Sequence, residues 1–79
     1  MIEKRAAPRF KVLKGGMAAV DGSNIPCTVR NMSETGAAVE FTQRVDLPAS
    51  FTLVIERDRF SRRCRPVWNN KRRVGLAFC

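Results

Sequence analysis

Apolar residues along this 79-residue chain fall at alternate positions or in short runs, with turn-forming residues between them. Residues 10–20 carry alternating and small apolar side chains interrupted by Gly15 and Gly16. That pattern predicts a long strand with a bulge or bend at the glycines. Asp21-Gly22-Ser23-Asn24 is a turn signature, and residues 25–30 read as the returning strand. Residues 37–41 make a third strand, after a turn at 31–36. A loop containing Asp46, Leu47 and Pro48 leads to residues 50–56, where Phe51, Leu53 and Ile55 alternate with more polar neighbours except for Val54. Two last strands, 61–68 and 72–78, are separated by Asn69-Asn70-Lys71, a hairpin connection suited to asparagine's tolerance of positive φ.

No segment holds helical periodicity over about ten residues, and no internal repeat is present. Six short strands with turn residues between them predict an all-β fold, a small six-stranded antiparallel β-barrel or the related sandwich. Closure would remove strand edges that so small a sheet could hardly cover. Residues 1–9 are expected to form a flexible leader, and residues 10–79 the single domain.

Charge changes the picture more than size does. Lys and Arg number 15 against 7 Asp and Glu, a net charge of +8. Most of the cations are arginines, whose planar forks suit phosphates and purine edges better than lysine's point charge. An anionic partner is therefore expected: nucleotide, nucleic acid, acidic protein or membrane surface. The late run Arg57, Arg59, Arg62, Arg63, Arg65, Lys71, Arg72 and Arg73 lies in or beside the last hairpin. On a continuous strand, Arg57, Arg59, Arg63 and Arg65 would form one cationic stripe, read first as a solvated outer face.

Three cysteines (Cys27, Cys64, Cys79) without a C-x-x-C spacing, and no histidine, argue against a structural zinc. No cofactor or metal is expected, and no nucleophile–base pair suggests an enzyme. The first residues lack the apolar stretch of a signal peptide, and no apolar run approaches the ~20 residues of a membrane helix. The expectation is a soluble cytoplasmic protein with reduced thiols.

Two short motifs carry the candidate chemistry. Arg5-Ala6-Ala7-Pro8-Arg9 places two guanidiniums on the leader. Pro8 disfavours helix at Ala7, so in an extended leader the two arginines lie up to ~13 Å apart. Arginine pairs with the O6/N7 edge of guanine and stacks on its face. Asn31-Met32-Ser33-Glu34-Thr35-Gly36 follows the second strand. The Asn31 carbonyl oxygen can accept from guanine's N–H edge, Ser33 can serve a phosphate oxygen or the turn backbone, and Gly36 permits positive φ or a close backbone approach. Each motif taken alone also has a plain reading, as surface charge or as a strand-connecting turn.

RAAPR, then a strand hairpin, then NMSETG, in this order, resembles the RxxxR and (D/N)xSxxG pair of the PilZ family of cyclic di-GMP receptors. The later strands around Cys64-Arg65-Pro66-Val67-Trp68 and Val74-Gly75-Leu76-Ala77-Phe78 are similar to those that end that domain. The resemblance spans nearly the whole chain and implies a stand-alone, PilZ-like barrel. It implies that Arg5 and Arg9 hold guanine edges and phosphates as the leader wraps an intercalated ligand dimer. Asn31 and Ser33 would contact guanine and phosphate from the barrel, and Gly36 would shape the turn. Lys4 stands where many relatives carry another arginine, and Trp68 matches a position near the ligand in some of them. Lys4, Arg65 and Trp68 are thus secondary contacts, Trp68 having barrel packing as its equal alternative.

Two departures stand out: Asn rather than Asp at 31, and a chain that stops at Cys79 where many relatives continue into a helix. The expected function is a cyclic di-GMP receptor or adaptor that orders its leader on binding and signals to a downstream protein. A small basic barrel binding single-stranded nucleic acid is a second reading, weakened by the scarcity of aromatics among the late arginines. A ligand-independent interaction module of the same fold is a third.

Overall fold

Six strands follow one another: β1 (Phe10–Val20), β2 (Ser23–Met32), β3 (Gly36–Phe41), β4 (Phe51–Ile55), β5 (Phe60–Asn70) and β6 (Arg73–Phe78). The computed structural model describes the backbone of residues 10–79 and the side chains of residues 12–79. The strands close into a barrel in the order β1-β2-β3-β6-β5-β4, every pair antiparallel. Closure comes from Met17, Ala18 and Ala19 of β1 pairing with Val54, Leu53 and Thr52 of β4. Closure is short: β4 covers β1 only at residues 17–19 and β5 only as far as Cys64, so the two long strands run on past it.

Alternation drives this closure. Phe51, Leu53 and Ile55 point inward and are fully buried, as their period of two predicts. They meet Ala18, Val29, Val39, Cys64, Val74 and Leu76 in one core. Phe60 and Phe78 cap one part of it, ring centroids 5.5 Å apart, and the Arg62 guanidinium lies 5.0 Å over the Phe78 ring.

The turns differ in detail from the pattern. The β1–β2 hairpin turns on Asp21 and Gly22 alone, with φ of 49° and 82°, and Ser23 already pairs with Val20. Two positive φ values match the twist of the flanking strands, so two residues suffice. The β5–β6 turn is likewise shorter than expected: Asn70 pairs with Arg73, and Lys71 rather than an asparagine takes the positive φ of 61°. In β1 the register shifts between Lys11 and Lys14, whereas Gly15 and Gly16 pair regularly with Thr28 and Cys27. The expected bulge therefore lies upstream of the glycines, because ladder hydrogen bonds need no side chain to continue through them.

The proposed arginine stripe is not continuous. Glu56–Asp58 form a 3-10 turn, and Arg59 takes a left-handed φ of 53°. Arg57 and Arg59 thus sit in the β4–β5 connection, while only Arg63 and Arg65 share the outer face of β5. Asp58 of that connection binds Lys14 Nζ of β1 in an ion pair.

Candidate functional site

Two bulges decide what the outer face of the barrel presents. Along β2, Cys27 and Val29 point inward, so unbroken alternation would turn Asn31 inward and Met32 outward. Instead Val29 pairs with Val39 and Asn31 with Ala38, which leaves Arg30 as an extra residue in β2. The bulge turns Arg30 and Asn31 to the same outer face and returns Met32 to the core side. In β5 the same device recurs: Pro66 pairs with Leu76 and Trp68 with Gly75, leaving Val67 as the extra residue. Trp68 therefore faces outward with 45% of its surface exposed.

These two strands flank the β3–β6 pair. Asn31 pairs with Ala38, Ala38 with Gly75, and Gly75 with Trp68, so one cross-strand row runs from amide to indole over a floor of two small residues. Three strand spacings, ~14 Å, separate its ends. A groove of about 680 Å³ lies above the floor, lined by Val12, Leu13, Arg30, Asn31, Ala38, Trp68 and Arg73. That volume falls within the range of small-molecule sites.

Gly75 makes this arrangement possible. A Cβ there would meet the Trp68 indole, 2.1 Å from Nε1 and 2.3 Å from Cε2. The indole thus lies directly on the β6 backbone at Gly75, with almost half of the residue's surface still exposed.

On the β2 side the groove is cationic. A single carboxylate oxygen, Oε1 of Glu40, accepts from Arg30 Nη1 at 3.3 Å and lies 3.5 Å from Arg73 Nε. Glu40 and Arg73 are direct cross-strand partners on β3 and β6, which sets their contact.

Residues 33–36 form a tight turn beside the groove. The Ser33 N–H donates to the Gly36 carbonyl at 2.8 Å, and Ser33 Oγ accepts from the Thr35 N–H at 3.2 Å. The Phe78 N–H donates to the Thr35 carbonyl at 2.8 Å, which binds the turn to the end of β6. Gly36 has no positive φ; it opens β3 opposite Ala77, where a Cβ would sit 2.1 Å from the Leu76 carbonyl oxygen. Its close backbone approach is to β6.

Of the residues singled out in the sequence, the fold brings Asn31 and Trp68 together in the groove. Asn31 lies within β2, paired with Lys11 and Ala38, where the sequence placed it just beyond the strand. Ser33 and Gly36 adjoin the groove without lining it, and Arg65 stands on the same outer face of β5, opposite Ala77. Lys4, Arg5 and Arg9 lie outside the described residues. Phe10, which follows them in the chain, pairs with Met32, so β1 begins beside the 33–36 turn. Sequence reasoning missed Arg30, Arg73 and Gly75 as site residues. Gly75 inside an apolar strand was a legible sign of a close approach, but Arg30 and Arg73 had nothing to separate them from the other arginines.

The thiols play no part in the groove. Burial pushes Cys27 up to about 11, with Cys64 adding to the effect. Cys64 is likewise pushed up to about 11, first by burial and then by Cys79. Both stay protonated near neutral pH and act as small apolar core residues. Among the described residues, no group of three or more His, Cys, Asp or Glu could hold a metal ion, and no helix is long and apolar enough to cross a membrane.

Comparison with known proteins agrees with the geometry. The family model of the PilZ domain matches residues 3–79. No curated protein matches the chain. PilZ domains are a cyclic di-GMP-binding module family, generally binding or adaptor modules rather than enzymes. With essentially the whole chain matched and a closed six-stranded barrel beneath it, this protein belongs to the PilZ domain family.

Proposed function

We propose that the protein is a non-enzymatic receptor for cyclic di-GMP, and that ligand binding orders residues 1–9 over the outer groove. The observation that carries this reading is the cross-strand row from Asn31 to Trp68, with its floor of Ala38 and Gly75. An amide that can read guanine's N–H edge and an indole on which a base can stack face one groove from opposite walls. Arg5 and Arg9 supply forks for the O6/N7 edge and the phosphates from the leader, and β1, which follows it in the chain, begins beside the 33–36 turn. Ser33 holds that turn in shape or serves a phosphate oxygen at the groove's end, and Lys4 adds charge. Ordering of the leader changes the surface met by a downstream protein in the cytoplasm, which makes the chain an adaptor.

Calorimetry and Trp68 emission, titrated with cyclic di-GMP, cyclic di-AMP, GTP and single-stranded DNA, test the reading. Cyclic di-GMP is expected to bind with a change in indole emission. Arg5→Ala and Arg9→Ala should each weaken binding about tenfold or more, the scale of a lost charge-assisted hydrogen bond. Asn31→Ala should narrow the preference for guanine over adenine. No heat and no emission change with excess cyclic di-GMP would overturn the proposal. Salt-sensitive DNA binding indifferent to Arg5 and Asn31 would favour the nucleic-acid reading instead.

A further inference from the structure

Arg30 and Arg73 come from strands that do not pair, β2 and β6, and both reach Glu40 on β3, the strand between them. Both line the groove, and both address the same oxygen of Glu40, at 3.3 and 3.5 Å. One carboxylate cannot neutralise two guanidiniums, so the trio keeps a net positive charge at the groove wall. The contacts also use only part of each fork: Arg30 engages through one Nη and Arg73 through Nε. The remaining N–H donors stand on two guanidiniums held by a common anchor, a pre-set geometry for the oxygens of one phosphate. The bulge at Arg30 reinforces this placement, because it turns Arg30 to the same face as Asn31.

We infer that Arg30 and Arg73, held together by Glu40, form an anion seat in the barrel wall that takes a phosphate of the bound nucleotide. The inference rests on the cyclic di-GMP reading for the identity of the ligand, but the seat itself is a claim about phosphate. It assigns phosphate recognition to the barrel as well as to the leader. Asn31 sits beside the seat on the same strand, so a base held by Asn31 would have its phosphate directed toward Arg30 and Arg73.

Two titrations of the full chain test this. With cyclic di-GMP, Arg30→Ala and Arg73→Ala should each lower affinity at least tenfold, while Arg44→Ala, outside the groove, leaves it unchanged. Arg73→Lys keeps the charge without the fork and should recover only part of the loss. With inorganic pyrophosphate, the Nε–Hε resonances of Arg30 and Arg73 in the unsubstituted protein should shift together, and those of Arg44 should not. If cyclic di-GMP binds and either groove variant retains full affinity, the shared seat is overturned and the receptor reading stands. If cyclic di-GMP does not bind at all, the receptor reading falls. Pyrophosphate then decides the seat alone: coupled shifts at Arg30 and Arg73 support it, and their absence overturns it.

Discussion

Two glycines of this barrel are constrained for different reasons, and the difference is measurable. Gly75 is pressed by a side chain, because its missing Cβ would collide with the Trp68 indole, which can swing away. Gly36 is pressed by backbone, the Leu76 carbonyl oxygen, which cannot move without opening the β3–β6 ladder. Gly75→Ala should therefore change stability by no more than about 1 kcal/mol, since alanine in a strand regains part of what is lost. It should displace the indole, shift its emission and weaken cyclic di-GMP binding. Gly36→Ala should instead cost on the order of 2–3 kcal/mol, visible as a lower melting temperature. Equal losses of stability in both variants, with Trp68 emission unmoved, would contradict this assignment.

Among the elements, the bulges matter more than the strands they interrupt. Val67 is the extra residue on β5 opposite β6, and the β4 pairing of β5 ends at Cys64, short of it. Deleting Val67 should leave Pro66 facing in and Trp68 facing out, now in an unbroken ladder. The deleted chain is expected to fold with Trp68 still on the groove, whereas deleting Val74 would invert the facing of one side of β6. Melting curves and Trp68 emission of the two deletions compare them directly. This also marks where the sequence was legible. Six strands, their order and the inward set Phe51, Leu53 and Ile55 follow from alternation and turn residues. The facing of Asn31 and Trp68 does not, because a bulge adds one residue without any composition of its own. The same holds for the arginines: Arg57 and Arg59 share sequence parity with Arg63 and Arg65, but the 3-10 turn at Glu56–Asp58 separates them. Arg30 and Arg73 became distinguishable only through a shared carboxylate more than thirty residues from one of them.

For the molecule as a whole, the buried thiols set a limit on the alkaline side. Cys27 and Cys64 hold their protons up to about 11 in the folded state, against 9.0 as the ordinary value. Between these values the unfolded chain sheds protons that the folded chain keeps, so the balance shifts toward unfolding as pH rises. The contribution is fully present below about pH 9 and is lost by about pH 11, with a slope of up to about 1.4 kcal/mol per pH unit for each thiol. Urea midpoints near pH 8 and near pH 10.5 should show this fall. The Cys27→Ala and Cys64→Ala double variant should show a flatter slope from a lower starting stability, and an unchanged slope would place the alkaline loss elsewhere.

The floor residues Ala38 and Gly75 pair with each other outside the core cluster, and their chain neighbours Val39, Val74 and Leu76 belong to the core on the other face. Pleating thus assigns adjacent letters of one short sequence to two separate tasks. Selection can alter what the outer wall recognises at Arg30, Trp68 or Arg73 without renegotiating the packing that keeps the barrel shut. Changes in the two sets meet only through the backbone they share, which lets one small scaffold diverge in ligand preference while conserving its architecture.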